Sequence, residues 1–391
     1  MPTWTNWSGS VTATPRQLCS PASEEEVAAI VREAAASGRS VRAAGSGHSF
    51  VPVVPADDVI LSLDALAGLL DADPASGRAT LFAGTKLRDA TRLLWERGLA
   101  LPNQGDVDTQ ALAGAIATGT HGTGPAYGSI STRLAAARVV TADGALLDVD
   151  DPALLPAFRV SLGLLGIFTR ITLACVPRYA LRERVWQHPI DACLEELAAN
   201  IAANDHYEFF WFPRSGIAES KSLNPVDEIP EREEPPPLDG PGERTGWSHR
   251  IYPSARDLRF NEMEYAVPAE AGPACFAAVR QRMVERHPKV GWPVEYRTLA
   301  ADDAWLSPAF GRPTVTISVH QAAERPYREF FTDLEPIFRD FGGRPHWGKF
   351  HTCARADLAA MYPRFEAFCA LRRQLDPAGR FLSPYLAPLF A

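Results

Sequence analysis

Between Asn103 and Gly124 the chain carries almost no bulk. Asn103-Gln104-Gly105-Asp106-Val107-Asp108-Thr109 leads through Gln110 into Ala111-Leu112-Ala113-Gly114-Ala115-Ile116-Ala117-Thr118-Gly119-Thr120-His121-Gly122-Thr123-Gly124. Only Val107, Leu112, Ile116 and His121 are other than Gly, Ala, Thr, Asn, Asp or Gln. A core reaches close packing with large side chains, so a stretch this bare implies main chain pressed against something other than protein. A large flat cofactor fits. From pattern alone, a poorly packed Ala/Gly helix or a flexible loop remains the alternative.

A second bare stretch, Arg42-Ala43-Ala44-Gly45-Ser46-Gly47-His48-Ser49-Phe50, follows the short strand Val41 to Ala44. Its glycines and serines let the main chain turn tightly and expose N–H groups as a nest for a diphosphate. It is not a dinucleotide fingerprint, because Phe50 stands where the third glycine of GxGxxG would be and no long helix follows. It lacks the Gly-Lys-Ser/Thr of a Walker loop. On pattern alone a tight turn with an exposed histidine explains it as well. Two glycine-rich stretches, each with a histidine, are more specific together than either is singly.

The remaining sequence reads as α+β. Ser23 caps a helix with Glu26 at the capping-box position; Lys86 to Arg97 is an amphipathic helix stopped by Gly98. Asp143-Gly144 joins the strands Leu134 to Thr141 and Ala145 to Val149 as a hairpin. Val59 to Leu63, Ala79 to Ala83 and Ile167 to Cys175 are further strands. Beyond Pro177 come the helix Ile190 to Ala203 and the strand Tyr207 to Phe212. Strands Asn261 to Val267, Val294 to Thr298 and Thr314 to His320 follow, with helices Ala271 to Arg286 and Tyr327 to Phe341 between them. That order suits a sheet covered by helices on one face. A domain boundary near Pro177 is expected, and residues 225–246, rich in proline and acid, read as a mobile surface loop.

A formal charge of −8 and the absence of any Lys/Arg block argue against nucleic acid or an anionic membrane as partner. The most apolar window, Val160 to Val176, is broken by Arg170 and two glycines and is too short to span a bilayer. Six scattered cysteines without a CxxC pair, and an N-terminus unlike a signal peptide, suggest reduced thiols in a cytoplasm.

Two more segments bear chemistry. In Val294-Glu295-Tyr296-Arg297 a strand would put Glu295 and Arg297 on one face, although such a pair is often a surface ion pair. Arg344-Pro345-His346-Trp347-Gly348-Lys349-Phe350-His351 concentrates His, Trp and Lys in a backbone fixed by Pro and Gly, as a functional loop would. Trp292 and Trp305 are candidates to wall a pocket. A metal-dependent hydrolase built from His346, His351, His48 or His121 is a remote alternative, because His346 and His351 miss the i, i+4 zinc spacing and no acidic cluster accompanies them.

Gly45-Ser46-Gly47-His48-Ser49 and Ala117-Thr118-Gly119-Thr120-His121-Gly122 resemble the flavin-binding half of the vanillyl-alcohol-oxidase (PCMH) type flavoproteins. Asn261-Glu262-Met263-Glu264-Tyr265-Ala266-Val267-Pro268 and His346-Trp347-Gly348-Lys349 resemble the aldonolactone oxidase branch, related to alditol oxidases. The resemblance implies an FAD-binding domain, residues 1–177 completed by about 345–391, and an α+β substrate cap, 178–344. It implies FAD bonded covalently through its 8α carbon to His48. Flavin contacts are implied from Gly45, Ser46, Gly47, Ser49, Gly105, Asp106, Thr109, Gly114, Thr118, Gly119, His121, Gly122, Ile167, His346 and Lys349. The implied reaction oxidises the C2 hydroxyl of an aldono-1,4-lactone, L-gulono-1,4-lactone foremost, or the terminal hydroxyl of xylitol or sorbitol. Hydride would pass to flavin N5, and O2 or another acceptor would reoxidise the flavin. Arg297 and Lys349 would stabilise developing negative charge, Glu295 would bind substrate hydroxyls and orient Arg297, and either His320 or Lys349 would take the proton if its pKa were depressed. Shielding of the flavin by Gln110 to Gly114 would govern the choice of acceptor.

Overall fold

The computed structural model describes residues 1–254 and 258–391. Three sheets carry the architecture. Gln17–Cys19, Val59–Ser62 and Val41–Ala44 form a parallel sheet with Val59–Ser62 in the middle. A five-stranded antiparallel sheet runs in the order Leu146–Val149, Leu134–Val140, Ile167–Ala174, Arg78–Phe82, Leu69–Asp73. The third sheet has eight antiparallel strands. Their order is Gly242–Trp247, Ala180–Pro189, Ile217–Val226, His206–Phe212, Val294–Leu299, Thr314–Ala322, Phe260–Pro268, Arg344–Pro345.

Local sequence accounts for the elements. Ser23 accepts a hydrogen bond from the Glu26 N–H (3.2 Å) and starts the helix Glu24–Ala36. The Glu26 carboxylate returns to Ala22 N–H (2.8 Å) rather than to Ser23, so the box closes one residue early. Gly98, at φ +77°, follows the helix Leu87–Glu96 in the left-handed conformation that side chains avoid. Asp143-Gly144 turns the expected hairpin.

The large sheet is amphipathic in an uncommon way. In Phe260–Pro268 the odd positions Met263, Tyr265 and Val267 alternate with Glu262 and Glu264; in Thr314–Ala322, Val315, Ile317 and Val319 alternate with Thr316, Ser318 and His320. The apolar face packs against helices Ile190–Ala203, Gly272–Arg286 and Arg328–Asp340 through Phe276, Val279, Phe331 and Phe338. The polar face is buried as well, and register lines it up. Phe210 sits opposite Glu295, Glu295 opposite Ser318, and Ser318 opposite Glu264; Glu208 sits opposite Arg297, and His320 opposite Glu262.

Two expectations need correction. The segment 225–246 is not loop throughout: its first residues end the strand Ile217–Val226, and its last residues belong to the edge strand Gly242–Trp247, which pairs with Ala180–Pro189. The long strands Ala180–Pro189 and Ile217–Val226, absent from the sequence reading, pair along their whole length. A separate hydrophobic core joins Val27, Val31, Ile60, Leu81 and Ile171 to Trp347, Phe365, Phe368 and Phe390. The C-terminal stretch thus packs into the N-terminal half. Val41 N–H donates to Arg380 C=O (2.9 Å), and the buried Arg42 guanidinium donates to Phe381, Leu162 and Val53 carbonyls at 2.6, 2.7 and 3.0 Å.

Candidate active site

A cavity of about 470 Å³ lies between the glycine-rich loops and the polar face of the large sheet. Gly45, Ser46, Gly47, His48 and Ser49 line one side with Gly105, Asp106, Gly114, Thr118, His121 and Ile167. Glu295, Arg297, His320, His346 and Lys349 line it from the other, joined by Glu262 and Glu264. Thr109 is absent from the lining but holds it together. Its hydroxyl lies 2.8 Å from His48 Nε2, and its carbonyl accepts from Ser46 Oγ at 2.5 Å. Gly119 and Gly122 stand behind the wall. Gly119 ends the helix Leu112–Thr118 at φ +80° beside Val160. A Cβ on Gly122 would fall 2.3 Å from Gln104 O and 2.4 Å from Asn103 Oδ1, so its small size lets two segments of the same bare run pack together. Trp292 lines the cavity, whereas Trp305 packs into the core shared by the N-terminal half and the C-terminal stretch, with Arg364 over its ring.

The His346-Trp347-Gly348-Lys349 turn is clamped from both halves. His346 N–H donates to Glu264 C=O (3.0 Å), Phe350 N–H to Glu262 C=O (2.9 Å), and Phe50 N–H to Gly348 C=O (2.7 Å). Lys349 consequently projects between Glu262, with which it pairs closely, and Glu264 at 3.9 Å. Burial pulls its pKa down, but these two carboxylates reverse that and hold it above the ordinary lysine value. Proton acceptance by Lys349 needed a depressed value; the geometry produces the opposite.

Arg297 is buried among carboxylates: its Nε reaches Glu208 at 2.6 Å, and its Nη2 reaches Glu295 at 2.6 Å and Asp106 at 3.0 Å. Lys221, also enclosed, pairs with Glu208 (2.6 Å) and Asp106 (3.5 Å). Three carboxylates therefore face two cations. The surplus falls on Glu295, whose carboxyl is pushed up to about 7 by burial, against the pull of Arg297 and with help from Glu208 and Asp106. The surface-pair alternative for Glu295 and Arg297 is thus excluded by burial. His48 is held neutral, pushed down to about 4 by burial and by the charges of Lys86 and Lys349, and its ring stacks on Trp7 with centroids 5.1 Å apart.

Sequence reasoning missed Glu208 and Lys221, and cited Glu262 and Glu264 only as part of a family resemblance. For Glu208 the available signal was a single carboxylate within the aromatic strand His206–Phe212; Lys221, between Ser220 and Ser222, carried none. The hydrolase set assembles only in part: His121 and His346 place ligand atoms with Glu264 within 4.8 Å of one another, whereas His48 and His351 lie apart from them. His121 donates toward Glu264 (2.8 Å) near His346, while His48 lies against Trp7 and His351 meets Tyr385.

The residues suit a flavin. A Cβ on Gly45 would lie 2.9 Å from Ala111 Cβ, so the two bare loops pack together side by side along the cavity. The buried polar face of the sheet looks across the cavity at a neutral imidazole rather than at more protein. The chain is an FAD-dependent oxidoreductase: residues 15–150 match the family model of FAD-binding domains. The chain belongs to the D-arabinono-1,4-lactone oxidase family, whose model matches residues 171–240 and 239–389. It is 36% identical to L-gulono-1,4-lactone dehydrogenase of Mycobacterium tuberculosis, over 98% of each chain. It is 30% identical to L-gulonolactone oxidase of Mus musculus, over 98% of this chain and 97% of that one. The alditol oxidase of a Streptomyces species is also 30% identical, over 98% of each. In fold the chain resembles the crystal structure of cholesterol oxidase from Brevibacterium sterolicum (TM-score 0.88, 18% identity, 100% of this chain and 96% of that one). Among the described residues no helix is long and apolar enough to cross a membrane.

Proposed function

We propose that this protein oxidises the C2 hydroxyl of an aldono-1,4-lactone, L-gulono-1,4-lactone foremost, with FAD bonded to His48. The observation that carries the reading is that Glu295 and Arg297, buried on the polar sheet face, line one cavity together with Lys349 of the clamped turn and His48. When bound, the flavin supplies the two-electron acceptor for the hydrogen leaving C2. Arg297 and Lys349 keep their charges and stabilise the oxygen as its proton departs. Glu295, near half-ionised at neutral pH, both donates to and accepts from the lactone's oxygens. Phe210, Phe260 and Trp292 wall the same cavity and exclude water from the reacting carbon. Flavin contacts fall to the loops Gly45–Ser49 and Gly105–Thr118, within a flavin unit of residues 1–177 and 345–391 and a cap of 178–344.

Attachment at His48 is supported by its neutral ring, since an unprotonated imidazole is the nucleophile the bond needs. Thr109 engages Nε2, which leaves Nδ1 for the flavin carbon. Reoxidation falls to O2 or another acceptor. Six unpaired cysteines support a reducing, cytoplasmic setting. The test is anaerobic mixing with L-gulono-1,4-lactone and xylitol side by side. Anaerobic bleaching of the visible flavin band is expected, together with the larger kcat/KM for the lactone in turnover with an added electron acceptor. A larger kcat/KM for xylitol would transfer the assignment to an alditol oxidase, the reading favoured by the Streptomyces relative.

A further inference from the structure

The substrate's hydroxyl proton needs a base, and Lys349 is committed to two carboxylates. Among the cavity-lining residues, His320 has the geometry required. It lies in the strand Thr314–Ala322, on the row opposite Glu262. Its Nδ1 lies 2.8 Å from the Pro293 carbonyl. A carbonyl only accepts, so Nδ1 carries the hydrogen and the Nε2 lone pair is the basic site, a tautomer set by backbone rather than by solvent. Nε2 lies 3.4 Å from Glu262 Oε1. Ligand atoms of His320, Glu262 and Glu295 all lie within 4.8 Å of one another. An imidazolium formed there meets a carboxylate already ionised, because Lys349 holds Glu262 well below the usual range against its burial.

We propose that His320 Nε2 is the general base of this enzyme, with Glu262 as the positioning residue that receives the imidazolium and Lys349 as a permanently charged neighbour. The assignment rests on the oxidase reading above. In the step, the substrate O–H bond breaks and its proton goes to Nε2. The C2–H bond breaks and its hydrogen leaves with the electron pair to the flavin, and the C2=O bond forms. The proton then passes on to solvent when product leaves. The charged groups facing the ring are Glu262 and Glu295, on the two strands that flank its own, and Lys349 from the clamped turn.

The test is rapid anaerobic reduction of the holoenzyme between pH 5 and 9 with whichever of L-gulono-1,4-lactone or xylitol reduces the wild type. His320→Gln should slow flavin reduction by 10²–10⁴-fold while substrate affinity shifts only a few-fold. It should abolish the fall in rate on acidification expected of the wild type, and added imidazole should restore part of the rate in His320→Ala. Lys349→Arg should slow reduction yet keep that acidic limb, and Glu262→Gln should move it. Reduction of His320→Gln within threefold of wild type, with the acidic limb intact, would overturn the assignment and leave the oxidase reading standing. A wild type reduced by neither substrate would remove the oxidase reading and the base with it.

Discussion

Lys221→Met offers the sharpest test of the buried charge network. The wild type places Asp106, Glu208 and Glu295 against Arg297 and Lys221, so the variant leaves three carboxylates around one guanidinium. Removing one partner of a buried pair costs about 3–5 kcal/mol, chiefly through the charge left behind. Glu208→Gln alone takes away the carboxylate shared by Arg297 and Lys221, each at 2.6 Å, and should cost a similar amount. The double variant is different in kind. Asp106 and Glu295 remain with Arg297, the same one-charge surplus as in the wild type, and no lysine or glutamate is stranded. We expect the double variant to be more stable than the sum of the singles by about 2 kcal/mol, within the usual coupling range for contacting residues. That is roughly thirtyfold in the folding equilibrium. Urea unfolding of the flavin-loaded proteins at pH 7.5, followed by tryptophan fluorescence and circular dichroism, reads it. Additivity within about 0.5 kcal/mol would refute a shared network.

Four further outcomes are expected. His48→Ala should release the yellow colour into the supernatant of an acid precipitate, whereas wild-type pellets stay yellow; a coloured variant pellet would refute attachment there. Gly122→Ala should lower the flavin-to-protein absorbance ratio far more than Gly45→Ala, because its Cβ meets backbone and amide oxygens at 2.3–2.4 Å rather than a methyl group at 2.9 Å. His351 is pushed down to about 4 by burial, so the stability it lends is complete above pH 6.5 and drains as pH falls toward 4. His351→Gln should flatten that loss by up to about 1.4 kcal/mol per pH unit in acid-dependent urea unfolding. Glu295 has the opposite sign: with its carboxyl raised to about 7, its contribution is complete below pH 4.5 and is lost as pH climbs through 7. Glu295→Gln should therefore gain on the wild type across that interval.

Elements governed by local chemistry were readable from sequence: the capped helix at Glu24, the glycine-stopped helix at Glu96, the Asp143-Gly144 hairpin and the strand bearing Glu295. The strands Ala180–Pro189 and Ile217–Val226 escaped because they lie toward one side of the large sheet. There charged residues such as Arg182, Glu183 and Arg184 follow one another and blur the two-residue period. Within the site, residues on distinctive backbones, such as His48 and Lys349, stood out. Glu208 and Lys221 did not, because a strand with one polar face looks the same in sequence whether that face meets water or a buried cavity. Only register, which sets Glu208 opposite both Arg297 and Lys221, reveals the difference.

The ties from Val41 and Arg42 to Arg380 and Phe381 give biosynthesis a timetable. The loop meant to hold the dinucleotide is made early, yet its anchoring arginine lacks one of its acceptors until residues beyond 380 leave the ribosome. Cofactor loading is therefore expected to wait for those residues, and a nascent fragment that lacks them should emerge colourless.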